Sequence, residues 1–355
     1  MSQENQNIQE EPHKRRVRYK GKYPKNYKEK YKELNPEKYQ DTIEKVIRKG
    51  STPAGMHISI MVKEIIDFLQ IKPGQTGFDA TLGYGGHTRA MLECLKGQGH
   101  MYATDVDPIE SAKTKKRLAE AGFGEDILTI KLQNFCTIDE IAKEAGGFDF
   151  VLADLGVSSM QIDNPDRGFS FKVDGPLDLR LNPEKGISAA ERLAGIGEEE
   201  LAGMLWENSD EPYAEELAHA IVTEIKHGKP IETTTRLREV IEETLSFLPE
   251  KERKDTVKKT CQRTFQALRI DVNNEFEVLY EFMEKLPGTL KPGGRAAILT
   301  FHSGEDKLVK KALKQGYKEG IYSEIANDAV RPSAEECAQN GRARSTKMRW
   351  AVRAE

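Results

Sequence analysis

Cysteine is scarce in this sequence, and its few copies are scattered. The chain has 355 residues and four cysteines, no two of which form a C-x-x-C pair. A disulfide framework needs clustered cysteines, and a structural zinc site needs pairs at short spacing. The seven histidines also lack the spacing of metal ligands. The sequence therefore predicts neither disulfide bonds nor a bound metal.

Long apolar runs are also missing. A membrane-spanning helix needs roughly 20 consecutive apolar residues, and no stretch of this sequence approaches that length. Residues 1–50 are polar almost throughout and contain no apolar region typical of a signal peptide. We therefore expect a cytoplasmic protein with no membrane partner. A chain of 355 residues is long enough for two domains.

The net charge is small, at −4, but positive charge is concentrated near the start of the sequence. Residues 14–50 contain fourteen lysines and arginines against five acidic residues, with tyrosines between the lysines. Such side chains can stack on unpaired bases and pair with phosphates, although a solvated tail has a similar composition. Residues 1–50 are therefore predicted to be a flexible basic arm, and both roles stay open.

After this arm, predicted strands alternate with helices. The strands are predicted at Thr76–Ala80, Met101–Thr104, Leu128–Leu132, Phe150–Ala153, Arg295–Thr300 and Lys347–Val352. This alternation indicates a parallel α/β sheet. Residues 188–259 instead predict successive helices with no strand. The expected fold is an α/β domain with a parallel sheet, formed by residues 51–187 and 260–355, with an all-helical domain of residues 188–259 inserted into it.

The return from the helical region to the sheet has two predicted features. A long helix is expected at Phe265–Leu286, where apolar residues recur at helical spacing. The segment Leu290–Gly294 contains Pro-Gly-Gly, which predicts a turn ahead of the fifth strand.

A glycine-rich turn follows the first predicted strand. Gly83, Gly85 and Gly86 allow a sharp turn and a close approach to a ligand that a Cβ would obstruct. Asp105 ends the second strand, where a carboxylate can accept hydrogen bonds from both ribose hydroxyls. This pattern indicates an adenosine-containing cofactor. A dinucleotide site expects a third glycine where Thr88 stands, so S-adenosylmethionine, which has no pyrophosphate, fits better.

The stretch Asp154–Phe171, directly after the fourth predicted strand, is long and unusual in composition, and Asp174–Arg180 follows it. Together these segments resemble the MraW (RsmH) family. Further motifs that agree with that family are His57, Arg263–Asn273, Thr300–Asp306 and Arg342–Arg349. The resemblance extends over about residues 56–353.

The resemblance implies a Rossmann-type methyltransferase with an inserted helical domain. Its members transfer a methyl group from S-adenosylmethionine to the N4 amino group of a cytidine in small-subunit (16S) ribosomal RNA. The implied partner is this RNA or the small ribosomal subunit, while the oligomeric state, including a homodimer, stays open. The family's cofactor contacts fall on Gly85, Gly86, His87, Asp105, Phe135, Asp154 and Gln161.

Four residues are candidates for the chemistry on cytosine, whose exocyclic amine is a poor nucleophile because its lone pair is delocalised into the ring. Asp154 is expected to accept a hydrogen bond from that amine, the alternative being a contact with the cofactor alone. Ser158 and Ser159 are candidates to orient the base. His302, after the fifth predicted strand, would line the same pocket or cap that strand. The cytosine must leave any stack to reach these groups.

Two basic groups outside the arm are candidates for contact with RNA phosphates. The group at residues 251–263 is diluted by acidic residues, so a solvated loop is the favoured interpretation. The group formed by Arg342, Arg344, Lys347 and Arg349 is predicted to contact RNA. Two other functions stay open: a catalytically silent protein that binds S-adenosylmethionine and RNA, and a methyltransferase for another RNA or DNA amine.

Overall fold

A computed structural model describes residues 59–355, apart from the side chain of Ser159. The predicted basic arm at residues 1–50 and the motif at His57 lie outside these residues. No helix in the described part is both long and apolar enough to cross a bilayer.

The centre of the described part is a seven-stranded sheet. Its strands are β1 (Thr76–Asp79), β2 (His100–Asp105), β3 (Leu128–Leu132), β4 (Phe148–Asp154), β5 (Leu290–Thr300), β6 (Tyr322–Ile325) and β7 (Lys347–Arg353). Their order across the sheet is β3-β2-β1-β4-β5-β7-β6. Strands β1 to β5 run parallel, and β7 is antiparallel to both β5 and β6. The α/β fold class and the six predicted strands are confirmed, whereas β6 was not predicted.

Helices cover both faces of this sheet. They are α1 (Val62–Leu69), α2 (Gly86–Leu95), α3 (Pro108–Glu120), α4 (Ile138–Ala145), α5 (Ser159–Asp163), α11 (Glu275–Thr289), α12 (Ser303–Lys318) and α13 (Ala334–Gln339). Successive side chains of a strand point to opposite faces. Accordingly, Val151 and Ala153 of β4 pack into a core with α4, α11 and α12. Phe150 and Leu152 pack into a second core with α1, α2 and α3.

A separate apolar core lies in the helical region between β4 and β5. The helices are α6 (Ala189–Gly195), α7 (Glu198–Ser209), α8 (Ala214–Lys226), α9 (Thr234–Thr244) and α10 (Glu250–Asn273). Their shared core extends from Leu177 to Leu268. Helix α10 continues from this region toward the sheet without a break at residue 259. The domain boundaries at 188 and 259 stay a prediction.

Two local predictions are wrong. The single helix expected at Phe265–Leu286 is broken at Asn274, which has φ 49° and ψ 43°; asparagine adopts this left-handed conformation more readily than most residues. The turn expected at Leu290–Gly294 is the irregular first part of β5. There the pairing with β4 shifts register between Phe148 and Phe150, so the Pro-Gly-Gly segment bends a strand rather than preceding one.

Candidate active site

The glycine loop, residues 82–86, lies at the edge of the sheet where β1 and β2 end. The N–H of Leu82 donates to the carbonyl of Thr104 (2.9 Å), which ties the loop to β2. Gly85 is the N-cap of α2 with φ 82°, and a Cβ there would lie 2.7 Å from Cγ2 of Thr114. Both backbone conformation and packing therefore require glycine at this position. Gly86 is the first residue of α2.

Asp105 lies beside this loop at the end of β2. Its Oδ2 accepts a hydrogen bond from the N–H of Gly83 (2.9 Å) and its Oδ1 one from the N–H of Asp107 (2.9 Å). Burial raises the pKa of Asp105 to about 6, although these backbone donors oppose the shift. Each carboxylate oxygen has a second lone pair, so the group can still accept two hydroxyl donors.

Asp79, at the end of β1, is hydrogen-bonded to residues on both sides of the glycine loop. It is 1% exposed, and its Oδ2 accepts a hydrogen bond from Oγ1 of Thr88 (2.6 Å). Its Oδ1 accepts from the N–H of Thr81 (3.0 Å), and burial raises the pKa of Asp79. Thr88, which replaces the third glycine of a dinucleotide loop, is therefore a hydrogen-bond partner of a buried carboxyl group.

His87, the second residue of α2, joins the glycine loop to the end of β4. Its Nε2 donates to the carbonyl of Ile60 (2.8 Å), and its Nδ1 lies 3.4 Å from Oδ2 of Asp154. Burial disfavours the charged imidazolium, but the hydrogen bond and charge of Asp154 outweigh it and raise the pKa of His87 to about 9. The environment of His87 thus favours its protonated, positively charged form.

Asp154 has one carboxylate oxygen that can accept a further hydrogen bond. Its N–H donates to Oγ1 of Thr81 (2.7 Å), which fixes the backbone at the end of β4. Its Oδ2 faces His87, while its Oδ1 is buried without a hydrogen-bond partner among the described residues. A buried polar atom without a partner costs about 1–3 kcal/mol. Oδ1 therefore points to a site for a donor from a ligand.

The segment after β4 is held by its own capping box. Oγ of Ser158 accepts a hydrogen bond from the N–H of Gln161 (3.2 Å), and Oε1 of Gln161 accepts one from the N–H of Ser158 (2.9 Å). Nε2 of Gln161 donates to Oδ2 of Asp107 (2.9 Å). Both ends of the Gln161 amide are thus engaged within the protein, and they connect α5 to the start of α3.

Arg167 is a residue whose role the sequence analysis missed. Its Nη1 lies 2.7 Å from Oδ2 of Asp107, and the two side chains are 9% and 0% exposed. Its Nη2 donates to the carbonyls of Arg180 (3.0 Å) and Leu181 (2.8 Å). Asp107 also caps α3 through Oδ1, and Pro108 is the first residue of that helix. This pair fixes residues 158–181 next to Asp105, and no local sequence signal marks it because the partners are 60 residues apart.

Phe135 follows β3 and begins a short 3-10 helix. Its ring is partly buried and packs edge-on against Phe282 of α11, with ring centroids 5.2 Å apart. The remaining exposed part of the ring offers an apolar surface.

His302 lies in a cluster of charged side chains after β5. Its Nε2 is 3.1 Å from Oε1 of Glu305, and its ring packs against Phe276 at 5.8 Å. Ligating atoms of Glu275, His302 and Glu305 all lie within 4.8 Å of one another. Arg269 already donates two 2.8 Å hydrogen bonds to Glu275, so a guanidinium supplies positive charge to this cluster. The sequence prediction of no metal stays a prediction.

The basic group near the last strand is largely paired. Nη2 of Arg342 lies 3.1 Å from Oδ1 of Asp163. Lys347 and Arg349 both pair with Asp306, each at 2.7 Å. Three of the four cations predicted to contact RNA therefore form ion pairs within the protein, with two carboxylates shared among them.

The structure thus brings together Gly85, Gly86, His87, Asp105 and Asp154, with Ser158 and Gln161 in the segment that follows β4. These residues fit S-adenosylmethionine: the loop has no Cβ at Gly85, Asp105 can accept the ribose hydroxyls, and the carboxylates suit a sulfonium. The fold and this site define the class as a Rossmann-like, S-adenosylmethionine-dependent methyltransferase.

Comparison with known proteins identifies the family. The profile of the MraW methylase family matches residues 54–354, and the chain belongs to that family. It is 84% identical over 347 residues to "Ribosomal RNA small subunit methyltransferase H 1" of Agathobacter rectalis, covering 98% of this chain and 99% of that protein. It is 72% identical to the protein of the same name from Lachnoclostridium phytofermentans, covering 98% and 94%. It is 64% identical to "Ribosomal RNA small subunit methyltransferase H 2" of Alkaliphilus metalliredigens, covering 97% and 99%.

Proposed function

We propose that this protein transfers a methyl group from S-adenosylmethionine to the N4 amino group of a cytidine in small-subunit (16S) ribosomal RNA. The names of its relatives support the RNA substrate, and the family supports methyl transfer. The observation that carries the proposal of a hydrogen-bond donor in the substrate, such as this amine, is the unpartnered Oδ1 of Asp154. A ribosomal substrate, either free RNA or the assembled subunit, implies a cytoplasmic location.

The cofactor half of the site is proposed to use the residues at the ends of β1 to β3. Asp105 would accept hydrogen bonds from the ribose hydroxyls, and Phe135 would contact the adenine. Residues 85–87 would lie alongside the cofactor. Gln161 would hold neighbouring residues in place, because its amide is already hydrogen-bonded to Ser158 and Asp107. When bound, S-adenosylmethionine supplies an electrophilic methyl group on a sulfonium.

The substrate half of the site is proposed to centre on Asp154. Its Oδ1 would accept a hydrogen bond from the N4 amine, holding the nitrogen toward the methyl group. As positive charge develops on that nitrogen, the carboxylate stabilises it and accepts the proton. His87 holds the Asp154 side chain in place, since its Nδ1 lies 3.4 Å from Oδ2. Positioning supplies much of the rate, because effective molarities reach roughly 10⁵ M or more in well-oriented reactions.

The other candidates are proposed to act around this centre. The hydroxyl hydrogen of Ser158 is available to the base, because its oxygen is the acceptor in the capping box. Ser159 is kept as a candidate to orient the base. We assign His302 to support of the β5 end, since its ring lies against Glu305 and Phe276.

Nucleoside analysis of small-subunit RNA tests this function. RNA would be digested from cells with the gene, without it, and with an Asp154→Asn variant in its place. We expect N4-methylated cytidine in RNA from cells with the gene and none in RNA from cells without it. RNA from cells with the Asp154→Asn variant should contain none or greatly reduced amounts. Identical nucleoside profiles with and without the gene would reject the proposal.

A further inference from the structure

Helix α12 carries a run of cations that the predicted basic groups do not include. Residues 307–318 contain five lysines and no acidic residue. All five lysines are exposed, whereas Val309, Leu313 and Gly316 face the protein interior. The lysines, hereafter the α12 lysine face, are Lys307, Lys310, Lys311, Lys314 and Lys318.

The lysines share one side of the helix. An α-helix turns about 100° per residue, so the five positions fall within an arc of about 100°. From Lys307 to Lys318 the face is about 16 Å long at 1.5 Å per residue. Tyr317, 51% exposed, borders it. The α12 lysine face is therefore a continuous positive strip rather than scattered charge.

In the part of the chain that the structure describes, these charges have no acidic partner. Within residues 59–355, no lysine of the face forms an ion pair, although the neighbouring helix α11 exposes Glu277 and Glu284. This contrasts with Arg342, Lys347 and Arg349, which pair with Asp163 and Asp306. Five like charges along one strip repel each other, and an external polyanion would relieve that repulsion.

The face starts close to the proposed reaction centre. Helix α12 begins at Ser303, three residues after β5 ends at the edge of the sheet where β4 ends with Asp154. Its first turn is anchored, because Asp306 is held by Lys347 and Arg349. The helix then leads away from that edge, so a chain that enters the site can continue along it.

We propose that the α12 lysine face binds the phosphate backbone of the substrate RNA next to the methylated nucleotide. This inference rests on the proposed function. Lysine ammonium groups act as point charges toward phosphates, so the contact would position the RNA without reading its sequence. The repeating spacing of charge favours a nucleic acid over an acidic protein, whose carboxylates have no such repeat.

Salt-dependent binding measures this contact. The probe is unmodified small-subunit RNA transcribed in vitro, and the variant is K307Q/K311Q/K314Q/K318Q. If three lysines each neutralise one phosphate of a single strand, the slope of log K against log salt falls by about 2, and affinity at 0.1 M salt falls about a hundredfold. The affinity for S-adenosylhomocysteine is expected to stay unchanged.

Two matched variants make the result specific. Replacing the same four lysines by arginine should preserve the parent slope. Replacing Lys72, Lys96, Lys116 and Lys143, which are exposed elsewhere, by glutamine removes equal charge and should change the slope by less than half as much. Equal losses in both glutamine variants, or parent-like binding by the α12 variant, would overturn the inference while leaving methyl transfer by the parent intact. A parent that neither binds nor methylates the RNA would overturn the proposed function and this inference together.

Discussion

The buried pair of Arg167 and Asp107 gives the sharpest prediction of stability. Nη1 of Arg167 and Oδ2 of Asp107 are 2.7 Å apart, and their side chains are 9% and 0% exposed. Replacing Arg167 with methionine preserves most of the apolar volume but leaves the carboxylate with Gln161 as its remaining partner at Oδ2. Removing one member of a buried ion pair costs about 3–5 kcal/mol. We expect the Arg167→Met variant to lose that much free energy of unfolding.

A double-mutant cycle separates the pair from the other contacts of the arginine. Asp107→Asn is the matched partner, because asparagine caps a helix as well as aspartate does. The double variant should be less destabilised than the sum of the single variants by about 2 kcal/mol. The assay is urea unfolding at neutral pH, monitored by the fluorescence of the two tryptophans. A loss below about 1 kcal/mol in Arg167→Met, with additive effects in the cycle, would refute the reasoning.

Three further predictions concern the cofactor edge of the site. Because the pKa of His87 is raised to about 9, protonated His87 stabilises the folded state by about 3 kcal/mol below pH 6.5. This stabilisation is lost as pH rises through 9. In unfolding experiments, the His87→Gln variant should lack this loss. Because the pKa of Asp105 is raised to about 6, affinity for S-adenosylhomocysteine should fall as pH drops through 6, and Asp105→Asn should bind at least tenfold more weakly with little pH dependence by calorimetry. Gly85→Ala should cost at least 1 kcal/mol, since its φ is 82° and its Cβ would meet Thr114.

A specific result would contradict each of these three predictions. Parallel pH–stability curves for the parent and His87→Gln would show that the imidazolium is not held by Asp154. Unchanged ligand affinity in Asp105→Asn would place the ribose elsewhere. Gly74→Ala, also at positive φ (89°) but with no heavy atom within 4 Å of its Cβ, is the control for Gly85→Ala. Equal costs at the two positions would remove the packing argument.

Local sequence signals were sufficient for the sheet and its cofactor edge. The glycine loop, the carboxylate of Asp105 and the cap at Asp107 each depend on neighbouring residues, so they could be predicted directly. The break at Asn274 could not, because asparagine is also tolerated inside helices and tertiary packing decides its conformation. The strand β6 was missed because its central residues, Ser323 and Glu324, are polar and exposed, so it lacks an apolar run.

Long-range pairing explains most of what the sequence left open at the site. The contact between Arg167 and Asp107 joins residues far apart in the chain, and no periodic pattern records it. The same holds for the pairing of Asp306 with Lys347, a cation that is predicted to contact RNA. The α12 lysine face was visible as composition, but its significance depends on the absence of ion partners among the described residues, which only the structure shows.

The site that includes Asp105 and Asp154 is proposed to methylate the cytidine amine of small-subunit RNA. The most direct measurement uses purified protein, S-adenosylmethionine labelled in its methyl group, and small subunits or RNA that lack the modification. The labelled nucleosides are then separated after digestion. We expect label in N4-methylated cytidine, and we expect it to be lost with Asp154→Ala while S-adenosylhomocysteine still binds. Label confined to another nucleoside, or undiminished transfer by the variant, would contradict it.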